Sequence, residues 1–336
     1  MKNASEILKS GLKHIDPLVN AEAARLIGDF HVRALIPELI EHARFHRFYS
    51  KVTAFYALSR MSVTEAIPHL QKLVDDPNVS DDWYWTGYKG VRAAAAVTLL
   101  QMGDDAGVPY LLELAKAGHV VFIRWFAPAL LRLQKLPPEL AGYLTLEKLC
   151  SSEKQKRYDG GEYSEPGALC MLCEALGLVD DPAADERLEF YFGHYSRFVR
   201  GQAYRSLHLR RPDKTSAQKI VENAKKQGTD FDRLVAAEVQ KDSATLSEIA
   251  RHAPAAFDRG SAIDALAVIL SPSLIEAGKL ALEDSDLYVR QCAVESLARN
   301  HGAAAQKFFE GMADKEKEIR VLCALAATQL GEKGAS

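Results

Sequence analysis

Cysteine is scarce and unpaired in this chain: five residues among 336, odd in number and scattered, so nothing calls for a disulfide framework. No apolar run is long enough for a membrane span, and the opening MKNASEILKS lacks the apolar core of a signal peptide. A reducing cytoplasm, with no membrane partner, is the expected setting. Neither sign of charge dominates: 42 Lys and Arg face 45 Asp and Glu, for a net charge of −3. That argues against a general polyanion binder, whose domain is normally basic, and leaves room for a local basic site. No segment sustains period-2 alternation, so strands are not expected. Signatures of chemistry are missing too. Without a P-loop, G-x-G-x-x-G, G-x-S-x-G or H-E-x-x-H, nucleotide-binding, hydrolase and zincin readings lose their sequence support.

What the chain has in quantity is repetition. EDSDLYVRQCAVESLARN, starting at Glu283, is followed thirty residues on by ADKEKEIRVLCALAATQL. Each copy is an acidic turn, then Val-Arg or Ile-Arg, then an alanine-rich helix. Asp284 stands six residues before Arg290, and Asp314 six before Arg320. Stacked helical pairs are the usual solution at such a period. The unit recurs near the start, where Pro37 and Pro68, 31 residues apart, sit at the beginning of corresponding helices. Pro109 comes 41 residues after Pro68. The surplus is an insertion at 79–88 containing DDWYWTGY, and such insertions map to loops on one face, often the binding face. Arg92 and Arg124 are 32 apart, and the 90 residues from Arg200 to Arg290 leave room for weaker copies at Arg233 and Arg259. Between 134 and 167 the pattern loosens into a long loop or distorted repeat rich in Pro, Gly and charge. The expectation is an all-α superhelix over 1–336, a single solenoid of about ten helical pairs.

The Pro-containing first helix, the acidic turn and the Val-Arg second helix resemble HEAT repeats. The short alanine-rich form at 283–330 and 88–115 is most similar to the HEAT-like repeats named after phycobilisome lyases, and the likeness is strongest at 50–132 and 284–330. The resemblance implies a ladder formed by the Asp and Arg of successive repeats between the second helices, which line a concave side; Asp284, Arg290, Asp314 and Arg320 match its positions. That family includes scaffolds, lyases, DNA glycosylases and hydroxylases, so the fold transfers and the function does not. The His-Glu pairs that hold iron in the hydroxylases are missing.

The ladder sorts the arginines. Arg290 and Arg320 have an acid six residues upstream and read as structural, whereas Arg124 has Gly118 there and Arg200 has His194, which leaves those two more available for a ligand unless another repeat supplies the acid. The stretch 187–211, RLEFYFGHYSRFVRGQAYRSLHLRR, carries six Arg against one Glu, +5 in 25 residues. On a helix, Arg197, Arg200, Tyr204 and His208 share one face. They read as a strip for phosphates or carboxylates with rings to stack on, or as a solvated face whose aromatics are core. In the insertion, Trp83, Tyr84, Trp85 and Tyr88 supply partner anchors or plug a seam between repeats, with Arg92, Arg124 and Trp125 as neighbouring candidates. Cys170 and Cys173 form a C-x-x-C without a second pair and read more simply as small core residues than as a redox or zinc site. Acidic pairs such as Asp104-Asp105 read as helix caps. No catalytic residue, metal or cofactor is expected.

Three functions follow. The first is a non-enzymatic scaffold whose concave face, insertion and 187–211 strip grip a protein partner or an extended anionic ligand. The second is a nucleic-acid enzyme like the HEAT-like DNA glycosylases, using Asp81, Asp82, Trp83, Trp85, Arg92, Arg124 and Trp125. The third is a chromophore lyase or chaperone whose Arg-rich aromatic groove takes a propionate-bearing tetrapyrrole.

Overall fold

The computed structural model describes residues 4–45, 48–77, 91–116, 126–151, 166–300 and 319–325. The insertion at 79–88, Arg124, Trp125, Asp314 and residues 152–165 of the loosened stretch lie outside them. Among the described residues every regular element is helical, and the chain is an all-α repeating solenoid of paired helices. It divides into two compact units, Ser5–Leu188 and Glu189–Ser336. Helices of the first are α1 (Ala4–Leu12), α2 (Pro17–Asp29), α3 (Ile36–Phe45), α4 (Phe48–Arg60), α5 (Ile67–Asp75), α6 (Val91–Gln101), α7 (Val108–Lys116), α8 (Ala127–Leu131), α9 (Pro138–Ala141), α10 (Leu146–Ser151) and α11 (Pro166–Leu176). α12 (Ala183–Phe190) leads into the second, with α13 (Arg197–Arg210), α14 (Lys214–Gln227), α15 (Asp230–Gln240), α16 (Ser243–His252), α17 (Ala256–Val268), α18 (Leu274–Ala281) and α19 (Leu287–Asn300).

One backbone device ends second helices in both units. After α2, α4, α6, α15 and α17 the chain turns left-handed, at His31, Ser62, Gly103, Lys241 and Leu270. The next N–H then bonds back five residues: Val32 to Ile27, Val63 to Leu58, Asp104 to Leu99, Asp242 to Ala237 and Ser271 to Leu266. That is the Schellman closure, which satisfies carbonyls the helix end would leave open. Six residues after the first three turns stand Pro37, Pro68 and Pro109, each the second residue of α3, α5 or α7, where a missing N–H costs nothing. The spacing of prolines in the sequence is the spacing of these turns. Within the loosened stretch α9 is only four residues long.

Small residues let the second helices approach. In α6 every residue from Val91 to Leu100 except Arg92 is buried, four of them consecutive alanines. A Cβ at Gly28 of α2 would lie 2.7 Å from the Ala57 Cα of α4, so those two backbones touch there. Phe55 and Leu58 of α4 are sealed, each stabilising the stack by roughly 2–3 kcal/mol through removal from water.

Candidate functional site

In Glu189–Ser336 the second helices α13, α15, α17 and α19 pack in succession. Their first turns share a pattern: Phe198-Val-Arg200, Phe231-Asp-Arg233, Phe257-Asp-Arg259 and Tyr288-Val-Arg290. Three of these arginines fold back on the loop before their own helix. Arg200 donates from Nη1 to the carbonyls of His194 and Tyr195, Arg259 to those of Ala253 and Pro254, and Arg290 to those of Asp284 and Ser285. The opposite edge of the guanidinium grips a carboxylate of the following repeat. Arg200 forks onto Asp232 at 3.0 and 2.6 Å, and Arg259 onto Asp284 at 2.7 and 2.9 Å.

The ladder joins successive repeats, as the resemblance implies, while two expectations about local partners change. Arg200 has no acid six residues upstream, but it is not open to a ligand: it is 4% exposed, and Asp232 one repeat later supplies the acid. Asp284 does not hold Arg290 through its side chain; its carboxylate serves Arg259, and Arg290 takes its main-chain carbonyl. The Arg259 guanidinium holds the Asp284 carboxyl below the usual carboxylate range. Arg233, the weak copy, instead lies in the open against Asp230 and Glu248.

The charge of 187–211 is largely spent in the same manner. Arg197 pairs with Asp258, Arg200 with Asp232, and Arg205 with Glu238, all carboxylates from later repeats. Tyr204 is fully buried, edge-on to Phe192 with centroids 4.7 Å apart, and burial pushes its phenol up to about 12. His208 is half-buried, its Nδ1 enclosed without a hydrogen bond. Arg197, Arg200, Tyr204 and His208 do share α13, but Arg200 and Tyr204 belong to the packing. In the first unit Arg92 donates from Nε to the Val74 carbonyl at 2.9 Å and lies over the Tyr110 ring at 4.2 Å, a structural placement. Trp83, Tyr84, Trp85, Arg124 and Trp125 fall outside the described residues.

What the structure brings together instead is a row of rings. Phe198 meets Phe231 and Phe257, with centroids 5.3 Å apart in each case, and Phe231 lies 5.9 Å from Phe257. Phe257 stacks on Tyr288 at 5.8 Å with planes 6° apart. Phe231 is buried, whereas Phe198, Phe257 and Tyr288 stay 42%, 40% and 37% exposed. Glycine lets the rings settle: a Cβ at Gly201 would lie 2.6 Å from the Phe231 ring, and one at Gly260 the same distance from Tyr288. The signal for this row was present as an aromatic residue two places before each repeat arginine.

Cys170 and Cys173 sit in α11 near Cys150 of α10, and burial raises all three thiols, Cys170 to about 11. A thiol held protonated is a poor nucleophile and metal ligand. Among the described residues no group of three or more His, Cys, Asp or Glu is placed to hold a metal ion, and no helix is long and apolar enough to cross a membrane.

A family model described as HEAT repeats matches residues 5–83. No curated protein matches. Among solved structures, the chain is similar to the complex of CpcE and CpcF of phycocyanin lyase from Nostoc sp. PCC7120, at 16% identity and a TM-score of 0.31, over 95% of this chain and 92% of that one. Identity and superposition that low transfer no function.

Proposed function

We propose that this is a non-enzymatic binding protein that holds a protein partner along the face of α13, α15, α17 and α19. One observation carries the reading: three half-exposed aromatic rings on α13, α17 and α19, with Phe257 in contact with both Phe198 and Tyr288. Exposed apolar patches of this kind mark interaction sites, and rigid rings supply contact area at little entropic cost. The stacked helices hold them in a fixed register, which is what helical repeat proteins offer a partner. An anionic ligand gains less support, because Arg197, Arg200 and Arg205 already face carboxylates.

The test is site-specific photo-crosslinking in native lysate, with the crosslinker at position 257 or 288 and, for comparison, at Gln218 on the exposed side of α14. A discrete protein adduct from the first two positions only, weakened by Phe198→Ala, supports the reading. Equal adducts from all three sites would overturn it. A second reading, carriage of a linear tetrapyrrole, is favoured by the same rings, which suit a planar conjugated ligand. An absorbance change on mixing with a bilin tests it. Nucleic-acid binding is tested by affinity for DNA that falls steeply with salt.

A further inference from the structure

We infer that Phe198, Phe231, Phe257 and Asp258 form a box for an arginine side chain of the partner, occupied in the free protein by Arg197. The inference rests on the reading of this face as the partner-facing one, but its chemistry can be examined without the partner. The Arg197 guanidinium carbon lies 5.0 Å from the Phe198 ring centroid, 5.4 Å from Phe231 and 5.9 Å from Phe257. Three ring faces around one cation, closed by a carboxylate, are the makings of a cation site.

Asp258 shows that the resident occupant fits incompletely. Its residue is 3% exposed, yet Arg197 reaches it through a single bond, Nη1 to Oδ2 at 2.9 Å, and Oδ1 is buried with no donor. The two neighbouring repeat acids differ. Asp232 and Asp284 each receive a two-point fork from the preceding repeat. By the same register Arg233 ought to grip Asp258, and it points away to Asp230 and Glu248. Arg197 comes instead from α13, two repeats back, and keeps 31% of its side chain exposed.

A buried carboxylate oxygen without a donor is costly, so an occupant that satisfies both oxygens is preferred. A guanidinium arriving from a partner is free to present its fork to both, while its flat face lies on the rings; a compact ammonium matches neither geometry as well. Arg197 is then a tethered competitor that the partner displaces.

The experiment titrates N-acetyl-arginine-methylamide, and its lysine counterpart, into full-length wild type, Arg197→Ala, and Arg197→Ala combined with Asp258→Asn. Binding is followed by the ring resonances of labelled phenylalanine. Removing the tethered competitor is expected to tighten arginine binding at least about tenfold over wild type, and Asp258→Asn to abolish the gain. Folded Arg197→Ala with no saturable shift, an unchanged response in the Asp258→Asn variant, or equal binding of the lysine compound would each overturn the proposal. Should Arg197→Ala fail to fold, Arg197→Lys takes its place. Should both fail, the Nε–H resonance of Arg197 in wild type decides: displacement by tens of millimolar ligand supports the box, and an unmoved signal overturns it. A box that binds while position 257 gives no crosslink would separate failure of the partner reading from failure of this one.

Discussion

Arg200→Ala is expected to be among the most damaging single changes in residues 189–336. Asp232 is 0% exposed and accepts from Arg200 Nε, from Arg200 Nη2 and from the Thr229 hydroxyl. Truncation removes the only countercharge among these three donors. Orphaning a buried charge costs about 3–5 kcal/mol. The carbonyls of His194 and Tyr195 also lose their donor, but Tyr195 is largely exposed and water replaces the bond, so that loss adds little. Pairing the change with Asp232→Asn removes the charge that needs compensation, and about half the loss should return. Arg233→Ala is the control: its two ion pairs are in the open, worth no more than about 1 kcal/mol. Urea unfolding followed by circular dichroism measures the total, and hydrogen exchange on α13 and α15 peptides localises it. A loss below about 1 kcal/mol for Arg200→Ala, or an equal loss for Arg233→Ala, would refute the reasoning on buried charge.

Leu270 holds a left-handed φ of +54° while 75% exposed, so Leu270→Gly relieves strain without losing packing. Relief of about 1–2 kcal/mol against a flexibility cost of about 0.5–1 should raise stability by roughly 0.5–1 kcal/mol, seen as a higher Tm. Gly201→Ala places a Cβ against the Phe231 ring; a loss of about 1–3 kcal/mol with shifted Phe198 and Phe231 resonances is expected. Asp284 titrates below its unfolded value because Arg259 favours the carboxylate. Its contribution is therefore complete above the unfolded pKa and lost as pH falls through the lower folded one. Asp284→Asn should lower stability at neutral pH and flatten the acid limb of a stability profile, and an unchanged limb would contradict the pairing.

Local physics made the fold legible in the chain. The 31-residue step from Pro37 to Pro68, the acidic caps and the alanine-rich helices each act within a few residues of themselves, so sequence alone fixed helix type, repeat length and turn position. Partners across repeats were another matter. Arg200 and Asp232 are 32 residues apart, and nothing in a single strand of sequence says which neighbouring carboxylate a long, flexible side chain will reach. The acid six residues before Arg290 looked like its mate because it is close along the chain. In the fold, the guanidinium bonds the main chain there, and the carboxylate faces the previous repeat. The same holds for the rings: their recurrence two places before each arginine is written in the sequence. Only the stacking of α13, α15, α17 and α19 decided that they meet, that Phe231 is sealed, and that Phe198, Phe257 and Tyr288 remain half in water.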